Sequence, residues 1–175
     1  MKLFDIPSSV YMSDVIHHSV IKDDILEKID SMGKYSMIKH DYQSISNTDW
    51  HLDKGRHRPY YDIVEPIINH HNEEIRQLLG YDRIRVINYW HQQYETGDYH
   101  KWHNHAACVF SNVYYVSLSG DNPSTTFSYL GKEFSVPVQE GTILTFPGYL
   151  IHQSGMNKSE ETKTVIAWNS DCEVL

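Results

Sequence analysis

Arg83-Ile84-Arg85-Val86-Ile87-Asn88-Tyr89-Trp90 begins the part of the chain that decides the fold. β-Branched and aromatic residues fill it, as they fill a half-buried strand. Similar runs follow at Val109–Ser117, Thr125–Tyr129, Glu133–Val138, Thr142–Phe146 and Thr164–Trp168. Gly, Pro and Asp/Asn clusters separate them, which is turn chemistry. Short strands at near-even spacing specify a sandwich or barrel of jelly-roll type. Upstream the texture differs. Asp23-Asp24-Ile25-Leu26-Glu27-Lys28-Ile29 sets acids ahead of helically spaced apolar residues, and Gly33 ends the pattern. Residues 60–80 carry Ile63, Val64, Ile67, Ile68 and Ile75 at helical spacing and end in Gly80, with Pro66 expected to mark a break. Residues 1–20 read as extended, and 41–59 as polar and turn-rich. The expected fold is mainly β (α+β). A helix-bearing support region, 1–82, packs its helices on one sheet of a jelly-roll core at 83–170.

The chain has 175 residues, which fits a single domain, 1–175. Hydrophobic residues are 40% and charged residues 22%, which excludes a disordered, collagen-like or coiled-coil chain. Lys and Arg number 15 against 23 Asp and Glu, a net charge of −8. That balance argues against nucleic-acid or anionic-membrane binding, which needs clustered cations. Tyrosines outnumber phenylalanines 13 to 5, suiting a lined cleft or a β-rich core. Cys108 and Cys172 cannot form a disulfide framework, so reduced thiols are expected. Met1-Lys2-Leu3-Phe4-Asp5 has no apolar signal core, and no run is long enough to span a membrane. A cytoplasmic location follows as the expectation.

There are 12 histidines. The doublets His17-His18 and His70-His71 point their rings in different directions on either a helix or a strand, so neither makes a chelate alone. The informative run is Tyr94-Glu95-Thr96-Gly97-Asp98-Tyr99-His100-Lys101-Trp102-His103-Asn104-His105. In extended backbone His103 and His105 project to one side, with Cα atoms roughly 7 Å apart. Both imidazoles can then reach one ion at about 2.1 Å. A third ligand must come from elsewhere. His152, after Gly141-Thr142-Ile143-Leu144-Thr145-Phe146-Pro147, is the candidate. Three such ligands would occupy one face of a metal and leave the other for substrate and oxygen. His100, three before His103, faces the other way on a regular strand and is the reserve ligand.

In order and spacing, these motifs resemble the iron(II)- and 2-oxoglutarate-dependent oxygenase superfamily, in particular its small bacterial and phage-type branch of unknown substrate. The resemblance covers about residues 84–170. It implies a double-stranded β-helix with a His-x-Asp/Glu…His iron site. Tyr94-x-x-Gly97 is similar to the strand and turn leading into that site. Val113-Tyr114-Tyr115-Val116 is similar to the next strand, whose tyrosine touches the cosubstrate. Gly141–Pro147 and His152 match the distal-ligand strand, and Lys163-Thr164-Val165-Ile166-Ala167-Trp168-Asn169 matches the last core strand. That strand opens with the basic residue for the far carboxylate of 2-oxoglutarate. Two positions depart from the pattern. His105 stands where an acid is usual, and Lys163 where arginine is commoner. Lysine offers a point charge rather than a fork, so the carboxylate grip leans more on tyrosines.

The resemblance implies iron(II) on His103, His105 and His152 as the catalytic set. It also implies oxidative decarboxylation of 2-oxoglutarate to succinate, coupled to C–H hydroxylation. The partners are then 2-oxoglutarate, oxygen and a small-molecule or peptide substrate. The residue types agree. A dianion held on a metal at one end needs a cation and hydroxyls at the other, which Lys163, Tyr94 and Tyr115 supply. Asn88 and Trp90 share strand parity with Tyr94, and Asn169 with Lys163, so both asparagines join the candidate cosubstrate-binding set. A cupin-type three-histidine metalloprotein without 2-oxoglutarate is the nearest alternative. It lacks its glutamate here, because Ala106-Ala107-Cys108-Val109-Phe110 follows the pair. A non-enzymatic jelly-roll binding module is the alternative from another class. A sheet-edge homodimer is the oligomer such a fold permits.

Overall fold

Eight consecutive residues, Lys163 to Ser170, are buried in one strand. A strand hidden on both faces cannot alternate apolar with polar, and that constraint explains the layout around it. The computed structural model describes residues 9–53, 55–105 and 107–174. In chain order the elements are β1 (Tyr11–Asp14), α1 (His18–Ser31), β2 (Ile38–His40), β3 (Gln43–Ile45), β4 (Asn47–Thr48) and α2 (Tyr61–Leu79). Then come β5 (Arg83–Tyr94), β6 (Tyr99–His103), β7 (Phe110–Ser117), β8 (Thr125–Tyr129), β9 (Lys132–Ser135), β10 (Thr142–Pro147), β11 (Ile151–Ser154) and β12 (Lys163–Glu173). They form two six-stranded sheets. One runs β1-β10-β7-β12-β5-β4 and the other β2-β3-β6-β11-β8-β9, with antiparallel pairing throughout.

Side-chain parity in the first sheet sorts the core into two clusters. Tyr114, Val116, Ile143, Ile166 and Trp168 cluster with Ile25 and Ile29 of α1 and Val64 and Ile68 of α2. Their strand neighbours Tyr115, Leu144 and Val165 turn the other way. These join Ile38, Ile45, Phe127 and Phe146 in a cluster shared with the second sheet. Each fully buried isoleucine contributes about 1.5–3 kcal/mol. The first sheet is therefore covered on both faces, and its central strands β7, β10 and β12 carry near-continuous burial. Among the described residues, no helix is long and apolar enough to cross a membrane.

Several boundaries differ from the sequence reading. Pro66 does not break α2, which is continuous from Tyr61 to Leu79. The proline is exposed near the helix start, so only the Asp62 carbonyl loses its partner, and the buried Val64, Ile68 and Ile75 hold the helix down. The stretch 41–59 is polar but contributes β3 and β4. The strand expected at Glu133–Val138 is Lys132–Ser135, ending ahead of Pro137. Residues 1–8 of the expected extended N-terminus lie outside the described residues.

One polar knot anchors the segment after β4 to β5. The Asp49 carboxylate accepts hydrogen bonds from Arg58 Nε (2.6 Å), Tyr60 Oη (2.8 Å) and the His91 backbone N–H (2.8 Å). Arg58 also donates to the Asp49 and Leu52 carbonyls and lies 5.0 Å over the Tyr89 ring. Asp49 and Arg58 are both buried. Asp49→Ala should cost about 3–5 kcal/mol in urea unfolding, because it leaves the guanidinium buried without its anion. A loss below about 1 kcal/mol would show that this pair is not the anchor.

Candidate metal centre

The site begins at the turn between β5 and β6. Gly97 takes a left-handed φ of +89° there, which glycine adopts freely. The buried Asp98 then ties the turn together. It accepts from Ser44 Oγ and Ser46 Oγ, both at 2.5 Å, and from the Glu95 N–H at 2.9 Å. These bonds fix the start of β6. Across the second sheet, His103 of β6 pairs directly with His152 of β11. His105 lies just beyond β6. Its N–H donates to the Gly148 carbonyl (2.8 Å), while the Gly148 N–H donates to Val109 (2.9 Å). A Cβ at Gly148 would sit 2.7 Å from the His105 carbonyl oxygen, so this close approach admits only glycine.

Three histidines from two parts of the chain thus meet. One ligand nitrogen from each lies within 4.8 Å of the others. Ring centroids are 4.2 Å apart for His103 and His152, 5.1 Å for His105 and His152, and 5.3 Å for His103 and His105. Each Nδ1–H is committed to an oxygen: His103 to the Lys101 carbonyl (2.7 Å), His152 to the Leu150 carbonyl (2.9 Å), His105 to Asn169 Oδ1 (2.8 Å). A carbonyl only accepts, so the proton resides on Nδ1 and the lone pair on Nε2. Ser111 Oγ completes the third anchor, 2.7 Å from His105 Nδ1 and donating to Asn169 Oδ1 at 2.9 Å. Burial keeps the rings uncharged. It lowers His103 to about 4, His152 to about 2 and His105 below its ordinary value. Neutral imidazole donors in this number suit iron(II), among other first-row metals.

His100 departs from expectation. Register shifts between β6 and β11, so that His152–Ser154 oppose His103–His100 and β6 holds one extra residue. Such a bulge reverses the parity beyond it. His100 therefore turns to the same side as His103 and stacks on it at 3.7 Å, with burial lowering it to about 3. It stands outside the set of three converging ligand atoms.

Two cavities flank the triad. An inner one of ≈ 50 Å³ is lined by the three histidines and by Trp90, Gln92, Tyr94 and Lys163. Lys163 is 2% exposed, and burial lowers it to about 7. Its Nζ donates to the Pro123 carbonyl (2.6 Å) and Ser154 Oγ (3.0 Å) and lies 5.3 and 5.6 Å over the rings of Tyr94 and Tyr115. Tyr94 Oη donates to Gln92 Oε1 at 3.0 Å. The Tyr115 hydroxyl meets Thr125 Oγ1 (2.7 Å) and accepts from the Thr125 N–H (3.2 Å). An outer cavity of ≈ 510 Å³ opens beside His103 and His105 and is lined by Trp50, Asn88, Trp90 and Asn169 among others. The structure thus gathers Tyr94 and Lys163 with the histidines, gives Asn169 to His105, sets Asn88 on the outer wall, and turns the Tyr115 hydroxyl to Thr125. Sequence reasoning missed Asp98, Ser111 and Gly148. Only Gly148, beside Pro147 in a turn, carried a local signal.

No family profile matches the chain, and no curated protein is similar to it in sequence. Solved structures are similar in fold. A Pseudomonas putida prolyl-4-hydroxylase has a TM-score of 0.66 at 14% identity, covering 94% of this chain and 93% of that one. A viral collagen prolyl hydroxylase from Paramecium Bursaria Chlorella virus-1, solved as a 2-oxoglutarate complex, gives 0.65 at 14% identity over 92% and 94%. A non-heme α-ketoglutarate-dependent epimerase from nogalamycin biosynthesis gives 0.68 at 12% over 93% and 77%. The chain has the 2-oxoglutarate oxygenase fold. Of the resemblance read from the sequence, the fold is borne out by these structures.

Two outcomes follow from this oxygenase-fold site. Asn169→Ala removes the oxygen that aligns His105 and should weaken iron(II) binding about 10–100-fold in anaerobic titration. Unchanged affinity would mean that the Asn169 contact does not orient the ligand. The second concerns acid. Unfolded histidines protonate near 6.5, whereas the buried folded rings resist protonation until pH falls much further. Full stability is therefore present above about pH 6.5 and declines below it, as the unfolded chain takes up protons the folded one refuses. The urea midpoint of metal-free protein should drop from about pH 7.5 to about pH 5.5, a window above the carboxylate range. A flat midpoint would mean the rings are not held neutral.

Proposed function

We propose that the protein is an iron(II)- and 2-oxoglutarate-dependent dioxygenase that hydroxylates a C–H bond of a small-molecule or peptide substrate, working as one domain. One observation carries this reading: a fully buried lysine shares the inner cavity with the histidine triad. A buried ammonium that costs this much desolvation is retained where an anion arrives to meet it. In this reading His103, His105 and His152 hold the metal through Nε2. Bound iron(II) would supply the redox chemistry that activates oxygen.

The remaining work falls to the chain. Lys163 Nζ takes the far carboxylate of 2-oxoglutarate, and the anion restores the charge that burial suppresses. Tyr94 borders the same cavity and bounds the dianion on its aromatic side. Phe146, 4.6 Å from the His152 ring, and Phe127, 6.4 Å from it, keep water from that flank. The outer cavity holds the substrate against His103 and His105. His105 in place of the usual acid leaves the ligand set neutral, so charge compensation falls more heavily on the dianion itself.

A cupin-type metalloprotein would use the triad but give Lys163 no ligand. Anaerobic iron(II)-loaded protein titrated with 2-oxoglutarate should develop the visible charge-transfer band of the chelate. Lys163→Ala should weaken that titration roughly 10- to 100-fold, the worth of about 1.5–3 kcal/mol for a charge-assisted bond. Equal affinities would favour the cupin reading.

A further inference from the structure

The outer cavity has an unusual wall. Among the described residues it carries no Asp, Glu, Lys or Arg, although the chain has 15 basic and 23 acidic residues. Carboxamides, indoles and imidazoles take their place. Gln43, Asn88 and Asn104 line it without a side-chain hydrogen-bond partner among the described residues. Trp50, 44% exposed, meets Trp90 edge to face at 4.3 Å and stands at the rim. At ≈ 510 Å³ the space is of the size that holds a small organic ligand.

We propose that this cavity takes an uncharged, hydroxyl-bearing ring of the sugar class, selected by Trp50. The proposal deepens the oxygenase reading by naming a substrate class, and it rests on that reading for the chemistry done there. With the two charges of bound 2-oxoglutarate offsetting those of the iron(II) held by His103 and His105, a carboxylate, ammonium or phosphate entering the cavity would lose its water with no counter-charge on the described wall, at a cost of several kcal/mol. An acyl chain would leave the free carboxamides unpaired. A hydroxyl both donates and accepts, and so does a carboxamide, so a polyol ring can satisfy all three. The indole offers a broad apolar face to the C–H side of such a ring. The three amides stand on β3, on β5 and in the loop after β6. They surround the space rather than run along one strand edge, as recognition of an extended peptide requires.

The test is calorimetric titration of the full chain, loaded with iron(II) and 2-oxoglutarate under argon. The probes are neutral methyl glycosides, their uronates and glycosyl phosphates, and a capped dipeptide. At least one neutral glycoside should bind saturably, about tenfold or more tighter than its charged congeners. Trp50→Ala should lose about tenfold of that affinity and Trp50→Phe should keep most of it, with thermal midpoints unchanged. The proposal is overturned if no neutral glycoside saturates, if a charged congener or the dipeptide binds as tightly, or if Trp50→Ala binds normally. The readout is binding without turnover. Glycoside binding in a protein that fails to take up 2-oxoglutarate would therefore sink the oxygenase reading alone.

Discussion

Imidazoles from separate parts of a chain can share one ion only if each presents an unprotonated ring nitrogen to the same point. Here the opposite nitrogen is what the fold controls. Two of the three Nδ1–H groups are bound by carbonyls two residues back in their own strand region, Lys101 and Leu150. That geometry needs only local backbone. The third, His105, has left the strand and needs long-range help from Asn169, Ser111 and Gly148. The departure from the usual acidic ligand thus falls at the position with the most supporting contacts. A carboxylate is oriented by its charge, whereas a neutral ring needs fixed partners.

The rest of the architecture supplies those partners. β12 is central to the first sheet, so Asn169 and Lys163 occupy fixed places on one strand, with Val165 and Ala167 between them on the inner cavity. Its outer residues Ile166 and Trp168 pack with the two helices, which keeps the strand from shifting. The Asp49–Arg58 knot does the same for the segment bearing Trp50, beside the outer cavity. A buried lysine and a neutral triad both cost desolvation, and the doubly covered sheet provides the rigidity that sustains them.

Much of this was legible in the sequence because buried β-strands are written in apolar and β-branched residues. β5, β7, β8, β10 and β12 were readable for that reason, as were the triad and the parity of Asn88, Trp90 and Tyr94. The strands that carry the ligands were not. β6 reads Tyr-His-Lys-Trp-His and β11 reads Ile-His-Gln-Ser, neither with strand-like alternation. Their extended form comes from pairing with each other and with β3 and β8, which is tertiary context. The orientation of His100 was hidden because a bulge is a property of two strands together, and no single segment encodes it. Nor could the sequence show that Asn169 serves a ligand, since parity gives the face a residue points to and not its partner.

The central claim is that His103, His105 and His152 together hold a single iron(II) through Nε2. Diffraction from an anaerobic iron(II)-soaked crystal, with anomalous data at the iron edge, addresses it most directly. One iron peak bonded to the Nε2 atoms of all three rings is the predicted result. An ion held by fewer of them, with His105 turned away or His100 taking its place, would contradict it.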